Sequence, residues 1–124
     1  MNIYKSAEDY LETILFLRER NGFVRSIDIA NELGFSKPSV SVAMKKLRES
    51  GYIEIGEGGE VLLLPKGEEI AQRMGERHRL LTRFFITIGV NPETAEDDAC
   101  KIEHDLSSET FEKLREHLLL EHEL

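Results

Sequence analysis

The sequence contains little cysteine, proline or tryptophan. It has one cysteine, three prolines and no tryptophan among 124 residues. A single cysteine cannot form an internal disulfide, which excludes a disulfide-stapled secreted scaffold. No apolar run approaches the roughly 20 residues that a helix needs to cross a bilayer, and MNIYKSAEDY lacks the basic-then-apolar order of a secretion signal. We therefore expect a cytoplasmic protein with no membrane partner.

Positive charge is also scarce. The net charge is −8, a value that by itself argues against a nucleic-acid partner. The charges are unevenly distributed, however: residues 1–66 carry 9 basic and 10 acidic side chains, whereas residues 67–124 carry 7 and 14. Because the first half is nearly neutral, it remains compatible with DNA. We expect two domains, residues 1–66 and residues 67–124.

Helical periodicity predicts three helices in the first half. The first follows Ser6 as its cap and ends at the Asn-Gly pair 21–22. Ser26 is predicted to cap the second, which Gly34 ends. Ser36 opens the third, which tolerates Pro38 in its first turn and ends at Gly51. In this third helix the apolar residues at i, i+4 and i+7 should face inward: Val40, Met44 and Leu47.

The second half is predicted to be helical after a short hairpin. YIEIGEGGEVLLL reads as two strands around a glycine-rich turn, closed by Pro65. A long helix should run from about Lys66 to Ile88. A helix capped by Asn91 should continue to about Leu106, and another should start at Ser107 or Ser108. The expected fold class is therefore mainly α: a winged helix-turn-helix followed by a helical domain.

Two short helices, a glycine-containing turn and a following hairpin are typical of a winged helix-turn-helix. Hydroxyl groups, lysines and a helix N-terminus on the second of these helices suit phosphate oxygens and the major groove. The acidic GEGGE turn of the wing should contribute little. The predicted DNA-binding residues are Arg25, Ser36, Lys37, Pro38, Ser39, Ser41, Val42, Lys45 and Lys46. A solvated helix in a protein-interaction module remains the alternative.

Several polar residues lie beside apolar stripes, where they suggest metal ligands. Asp9 and Glu12 are three apart on the first helix and share a face. On the predicted fifth helix, Cys100, Glu103 and His104 at i, i+3 and i+4 also share a face, so their side chains should point the same way. His78 lies next to a run of apolar residues on the long helix. Alone, each has a plainer reading, as a solvated carboxylate pair, a hydrogen-bonded histidine or a buried thiol.

Catalysis is a poor fit to these residues. Cys100 with His104 as base is conceivable as a nucleophile pair, but a single helix face supplies no oxyanion hole and no pocket-forming glycine loop. The usual structural-zinc signatures are absent from the sequence. We expect a protein that is not an enzyme and has no small-molecule substrate.

The sequence resembles the DtxR/MntR family of metal-dependent bacterial repressors over almost its whole length. The resembling segments, in order, are EDYLETI (8–14), DIANELGFSKPSVSVAMKKL (28–47), GYIE (51–54), LLPKGEEIA (63–71), RHRLLTRFF (77–85) and DDACKIEHDLS (97–107). The resemblance implies a winged-helix DNA-binding domain and a helical dimerisation domain, with Mn²⁺ or Fe²⁺ bound between them, one or two ions per protomer. It selects Asp9, Glu12, His78, Cys100, Glu103 and His104 as ligands.

Two departures from the family pattern bear on the metal. Asp9 is typical of the manganese branch, whereas Cys100 is typical of the iron branch, and a thiolate favours later metals than carboxylates do. The ancillary site of the iron branch has other residues here, Thr82 and Glu96. Since the sequence ends at Leu124, we also expect the short form without the SH3-like third domain.

The resemblance implies a homodimer that binds a palindromic operator in double-stranded DNA and represses metal-uptake genes when the metal is bound. The metal would favour one spacing between the two DNA-binding domains of the dimer. Two alternatives stay open on the residues alone: a protein-interaction module without metal, and a regulator gated by oxidation of Cys100.

Overall fold

A computed structural model describes residues 5–122 of the chain and the side chains of residues 5–118. The elements follow the predicted order of three helices, a hairpin and three helices. They are α1 (Lys5–Asn21), α2 (Ser26–Leu33), α3 (Lys37–Glu49), β1 (Ile53–Ile55), β2 (Val61–Leu63), α4 (Pro65–Thr87), α5 (Pro92–Ile102) and α6 (Ser108–His122). The mainly α fold class is confirmed. No helix among the described residues is long and apolar enough to cross a membrane.

The chain forms two compact units, Met1–Gly75 and Glu76–Leu124, so that the division falls within α4. In the first unit, apolar side chains from α1, α2, α3, the hairpin and the start of α4 form one buried core. Its fully buried members include Leu11, Ile14, Leu15, Ile29 and Val40. Val40, Met44 and Leu47 all face this core, as their spacing predicted.

The helix-turn-helix is shaped by two local features. Gly34 ends α2 with φ of 70°, a left-handed conformation that glycine adopts without a Cβ penalty. Ser36 then caps α3, because its Oγ accepts a hydrogen bond from the Ser39 backbone N–H at 3.2 Å. Pro38 lies in the first turn of α3, where its missing N–H costs no hydrogen bond. These predictions are confirmed.

The wing is an antiparallel hairpin in which Ile53 pairs with Leu63 and Ile55 with Val61. The segment before α2 extends it, because the Val61 N–H donates to the Val24 carbonyl at 2.7 Å and Arg25 bridges to Glu60. At the other end, Gly67 lets α4 begin close to the hairpin: a Cβ there would overlap the Tyr52 carbonyl oxygen.

Three predicted boundaries are wrong. The first helix already includes Lys5, so Ser6 lies within it and is not its cap. Arg25 is the N-cap of α2, and the Asp28 carboxylate accepts from its backbone N–H at 2.9 Å, so Ser26 is the first helical residue. The fifth helix ends at Ile102 and not near Leu106, since no further α-helical turn forms between residues 103 and 106.

In the second unit, α5 and α6 begin at side-chain caps. Asn91 accepts from the Glu93 N–H at 3.0 Å, and Ser107 accepts from the Thr110 N–H at 3.0 Å. Buried apolar residues of this unit include Leu81, Ala95, Ala99, Phe111 and Leu118. The short turn between α5 and α6, residues 103–107, carries two of the predicted metal ligands.

Candidate metal centre and DNA-binding surface

Helix α1 carries a buried acidic side in the first unit. Glu12 is 4% exposed and Asp9 is partly buried, and their i, i+3 spacing places both on one side of the helix. Glu8, one residue earlier, is also buried and pairs with Arg73 at 3.5 Å. Carboxylates held away from bulk water are suited to binding a cation.

Glu103 is the centre of the polar cluster in the second unit. Its side chain has no exposed surface, and Oε2 lies 3.1 Å from Nδ1 of His78 on α4. Its other oxygen, Oε1, lies 3.5 Å from Nε2 of His104, whose side chain is 1% exposed. A carboxylate therefore lies between two imidazoles, one on each oxygen.

The outer side of this cluster is more accessible to solvent. Glu96 Oε1 lies 3.8 Å from His78 Nε2 and its side chain is 69% exposed. Glu96 was not among the predicted ligands. Its signal in the sequence was its position four residues before Cys100, one helical turn away on α5.

Cys100 differs from its predicted companions in its surroundings. It is exposed, whereas Glu103 and His104 have buried side chains. That all three side chains point the same way stays a prediction, whereas the predicted continuation of the helix to about Leu106 is wrong, since α5 ends at Ile102. Glu103, the C-cap, keeps a helical φ of −59° and an N–H that donates to the Ala99 carbonyl at 3.0 Å, and His104 lies in the turn that follows.

The donor chemistry fits a divalent first-row metal. Within the second unit the grouped donors are carboxylate oxygens and imidazole nitrogens, a set that suits Mn²⁺ and Fe²⁺. Burial of Glu103 also limits competition from solvent at its oxygens. The first unit adds only carboxylates, Asp9 and Glu12, which are hard ligands of the type that Mn²⁺ prefers.

The predicted DNA-binding residues all lie on exposed surface of the first unit. On α3 they surround the first turn and the outward side of the helix, opposite the buried Val40 and Met44. Arg25 is exposed but restrained, because its Nε donates to the Gly58 carbonyl at 3.1 Å and its guanidinium lies 5.0 Å from the Phe23 ring centroid. Arg25 thus joins the wing to the start of α2.

Two domain families match the chain in succession. Residues 2–59 match the N-terminal DNA-binding domain of iron-dependent repressors, and residues 64–120 match the metal-binding and dimerisation domain of the same repressors. Among curated proteins, the transcriptional regulator MntR of Salmonella typhimurium is 39% identical over 105 residues, which cover 85% of this chain and 67% of that protein.

Solved structures agree with this assignment. A manganese-dependent transcriptional repressor in complex with manganese matches with a TM-score of 0.83 at 30% identity, over 90% of this chain and 52% of the other. The IdeR of T. acidophilum matches with a TM-score of 0.79 at 27% identity, over 95% and 55%. The chain thus spans about half the length of these solved relatives.

The fold, the buried Glu103–histidine cluster and the two consecutive domain matches lead to one assignment, and they confirm the resemblance found in the sequence. The chain belongs to the family of iron-dependent repressors, which are metal-dependent DNA-binding transcriptional regulators of the DtxR/MntR type.

Proposed function

We propose that this protein is a manganese- or iron-responsive repressor that acts as a homodimer in the cytoplasm and has no catalytic activity. The observation that carries the proposal is the buried carboxylate of Glu103, held between the imidazoles of His78 and His104. Such a group of donors is what a divalent cation needs, and its burial makes a purely solvated role a poor account of it.

The proposed ligands are Asp9, Glu12, His78, Cys100, Glu103 and His104, for one or two ions per protomer. Asp9 and Glu12 belong to the half with the helix-turn-helix, and the other four belong to the half with the dimerisation domain. The carboxylates and the thiolate repel one another when they are brought together. A bound divalent ion supplies the positive charge that offsets this repulsion.

The metal would regulate DNA binding if DNA binding requires one particular arrangement of the two halves of the protein. The two DNA-binding domains of a dimer must match two operator half-sites that are separated by whole turns of DNA. Ligands that both halves contribute shift the population toward the arrangement in which all of them can bind. Loss of net negative charge on metal binding also lowers repulsion from DNA phosphates.

Manganese is the first candidate metal, because Asp9, Glu12 and Glu103 offer hard carboxylate oxygens and Cys100 has an exposed position. Iron is the second, because the thiolate of Cys100 favours a later metal than the carboxylates do. The proposed output is repression of metal-uptake genes through a palindromic operator, with functional domains at residues 1–66 and 67–124.

Metal-dependent operator binding tests this function. An operator is selected from random-sequence duplex DNA with Mn²⁺ present, and its affinity is measured by fluorescence anisotropy with Mn²⁺, Fe²⁺, Co²⁺ or chelator under reducing, anaerobic conditions. We expect tight binding with Mn²⁺ or Fe²⁺ and loss of binding in chelator. Equal affinity with and without metal would exclude a metal-dependent repressor.

Two other functions make different predictions. A protein-interaction module of the same fold would bind no metal, so elemental analysis of the purified protein after dialysis against Mn²⁺ distinguishes it. A regulator gated by Cys100 would change its DNA affinity with peroxide in the presence of chelator, and Cys100→Ser would remove that response.

A further inference from the structure

Arg77 is the one buried arginine or lysine among the residues whose side chains are described. It is 5% exposed and precedes His78 on α4. A charged side chain at this depth normally needs hydrogen-bond partners to offset its lost hydration. The groups that the Arg77 guanidinium contacts indicate its role.

Arg77 holds the turn between α5 and α6 by its backbone. One nitrogen, Nη1, donates to the Glu103 carbonyl at 3.0 Å and to the Leu106 carbonyl at 2.7 Å. The guanidinium also packs 5.3 Å from the centroid of the Phe111 ring on α6. A single side chain of α4 therefore contacts the C-cap of α5, the turn and the first part of α6.

These contacts have a local physical reason. The last carbonyls of a helix lack intrahelical partners and carry partial negative charge, which a cation nearby satisfies and stabilises. Glu103 is the C-cap of α5, so its carbonyl belongs to this group. The Glu103 N–H still donates to the Ala99 carbonyl at 3.0 Å, but α5 stops at Ile102, so the turn after Glu103 depends on contacts with other elements more than a helical segment would.

We propose that Arg77 is a positioning residue for the metal centre, which it serves by ordering the turn that carries Glu103 and His104. The inference rests on the proposed metal-binding function, but it assigns Arg77 no contact with the ion. Arg77 fixes the Glu103 backbone while His78, its neighbour on α4, contacts the Glu103 carboxylate. Backbone and side chain of this ligand are thus set by two consecutive residues.

The test compares the wild-type protein with Arg77→Met, which keeps the length and the apolar stem but removes the charge and the donors. Arg115→Met is the matched control, because Arg115 lies on α6 of the same unit and its partners are the carboxylates of Glu76 and Glu112. Two quantities are measured: amide hydrogen exchange in metal-free protein and Mn²⁺ affinity by calorimetry well below the melting temperature.

We expect faster exchange of turn amides in Arg77→Met, including Asp105, whose N–H donates to the Ile102 carbonyl in the wild type, with no change in the core of the first unit. Mn²⁺ binding should weaken about 10- to 100-fold, the usual effect of removing a group that orients a ligand. The control should leave both quantities at wild-type values. A residue with only a general structural role would lower the melting temperature without changing the Mn²⁺ affinity.

The proposal would be overturned if a folded Arg77→Met protein kept the wild-type rates of amide hydrogen exchange in the turn or the wild-type Mn²⁺ affinity. If that variant does not fold, Arg77→Gln is measured instead, since glutamine is polar but is shorter, carries no charge and lacks the guanidinium that donates to both carbonyls. Weaker Mn²⁺ binding and faster turn exchange are again expected, and wild-type values overturn the proposal. Failure of the wild-type protein to bind Mn²⁺ is a separate outcome and would overturn the proposed function. Amide hydrogen exchange in the metal-free protein would still test whether Arg77 orders the turn.

Discussion

His78 Nδ1 lies 3.1 Å from Oε2 of Glu103, a contact between residues separated by 25 positions in the sequence. It joins the middle of α4 to the C-cap of α5, and the carboxylate involved has no exposed surface. The contact gathers carboxylate and imidazole donors at the place where the proposed function requires a divalent cation.

Replacing the Glu103 carboxylate tests the centre of the proposed site. Glu103→Gln keeps the size of the side chain but removes its charge, so we expect Mn²⁺ affinity to fall by at least about tenfold and DNA binding to lose its metal response. Calorimetry and anisotropy measure the two effects. Glu109→Gln, an exposed carboxylate on α6, is the control, and wild-type Mn²⁺ affinity in Glu103→Gln would remove Glu103 from the ligand set.

Cys100 is predicted to influence which metal the protein prefers. Cys100→Glu replaces a soft thiolate by a hard carboxylate, so the ratio of Mn²⁺ to Co²⁺ affinity should rise. Cys100→Ser separates loss of the thiolate from gain of the carboxylate. The same metal ranking in all three proteins would show that Cys100, which is exposed in the structure, does not select the metal.

The exposed lysines of α3 are predicted to contact DNA phosphates. Removing one contact in Lys45→Ala should reduce the slope of log affinity against log salt concentration by about 1, with similar losses on all duplex sequences. Lys113→Ala removes an exposed lysine from α6, where the side chain is 72% exposed, and should leave the slope unchanged. An unchanged slope in Lys45→Ala would place Lys45 outside the DNA-binding surface.

An ion pair in the first unit makes stability depend on acid. Two hydrogen bonds from Arg18, at 2.7 and 2.8 Å, lower the pKa of Glu68 from 4.5 to about 2. Because the folded-state pKa is depressed, the stabilisation is complete above pH 4.5 and is lost as the pH falls toward 2. Both side chains are more than a third exposed, and solvent screening limits the contribution to about 1 kcal/mol.

Glu68→Gln should therefore lower the free energy of unfolding at pH 7 and reduce its loss between pH 5 and pH 2. Urea denaturation at several pH values measures this. Glu69→Gln, an exposed neighbour on α4, should follow the wild-type curve. A Glu68→Gln protein with the wild-type acid dependence would show that this pair does not contribute.

Most of the fold could be predicted from local patterns. Gly34, Ser36 and Asn91 mark helix ends because a left-handed glycine and a capping side chain act within a few residues of chain. At the start of α2, two local capping signals compete. Ser26 is a good cap by type, yet the Asp28 carboxylate binds the Arg25 N–H and sets the helix start one residue earlier.

The element order, the core face of α3 and the residue types that a metal would use follow from local sequence patterns, because periodicity and capping are properties of short segments. Which of those residues are buried together depends on how the helices pack. Cys100 is exposed, whereas the side chains of Glu103 and His104 are buried. Arg77 resembled any solvated basic residue until the fold placed two backbone carbonyls within its reach, since such contacts join residues far apart in the chain.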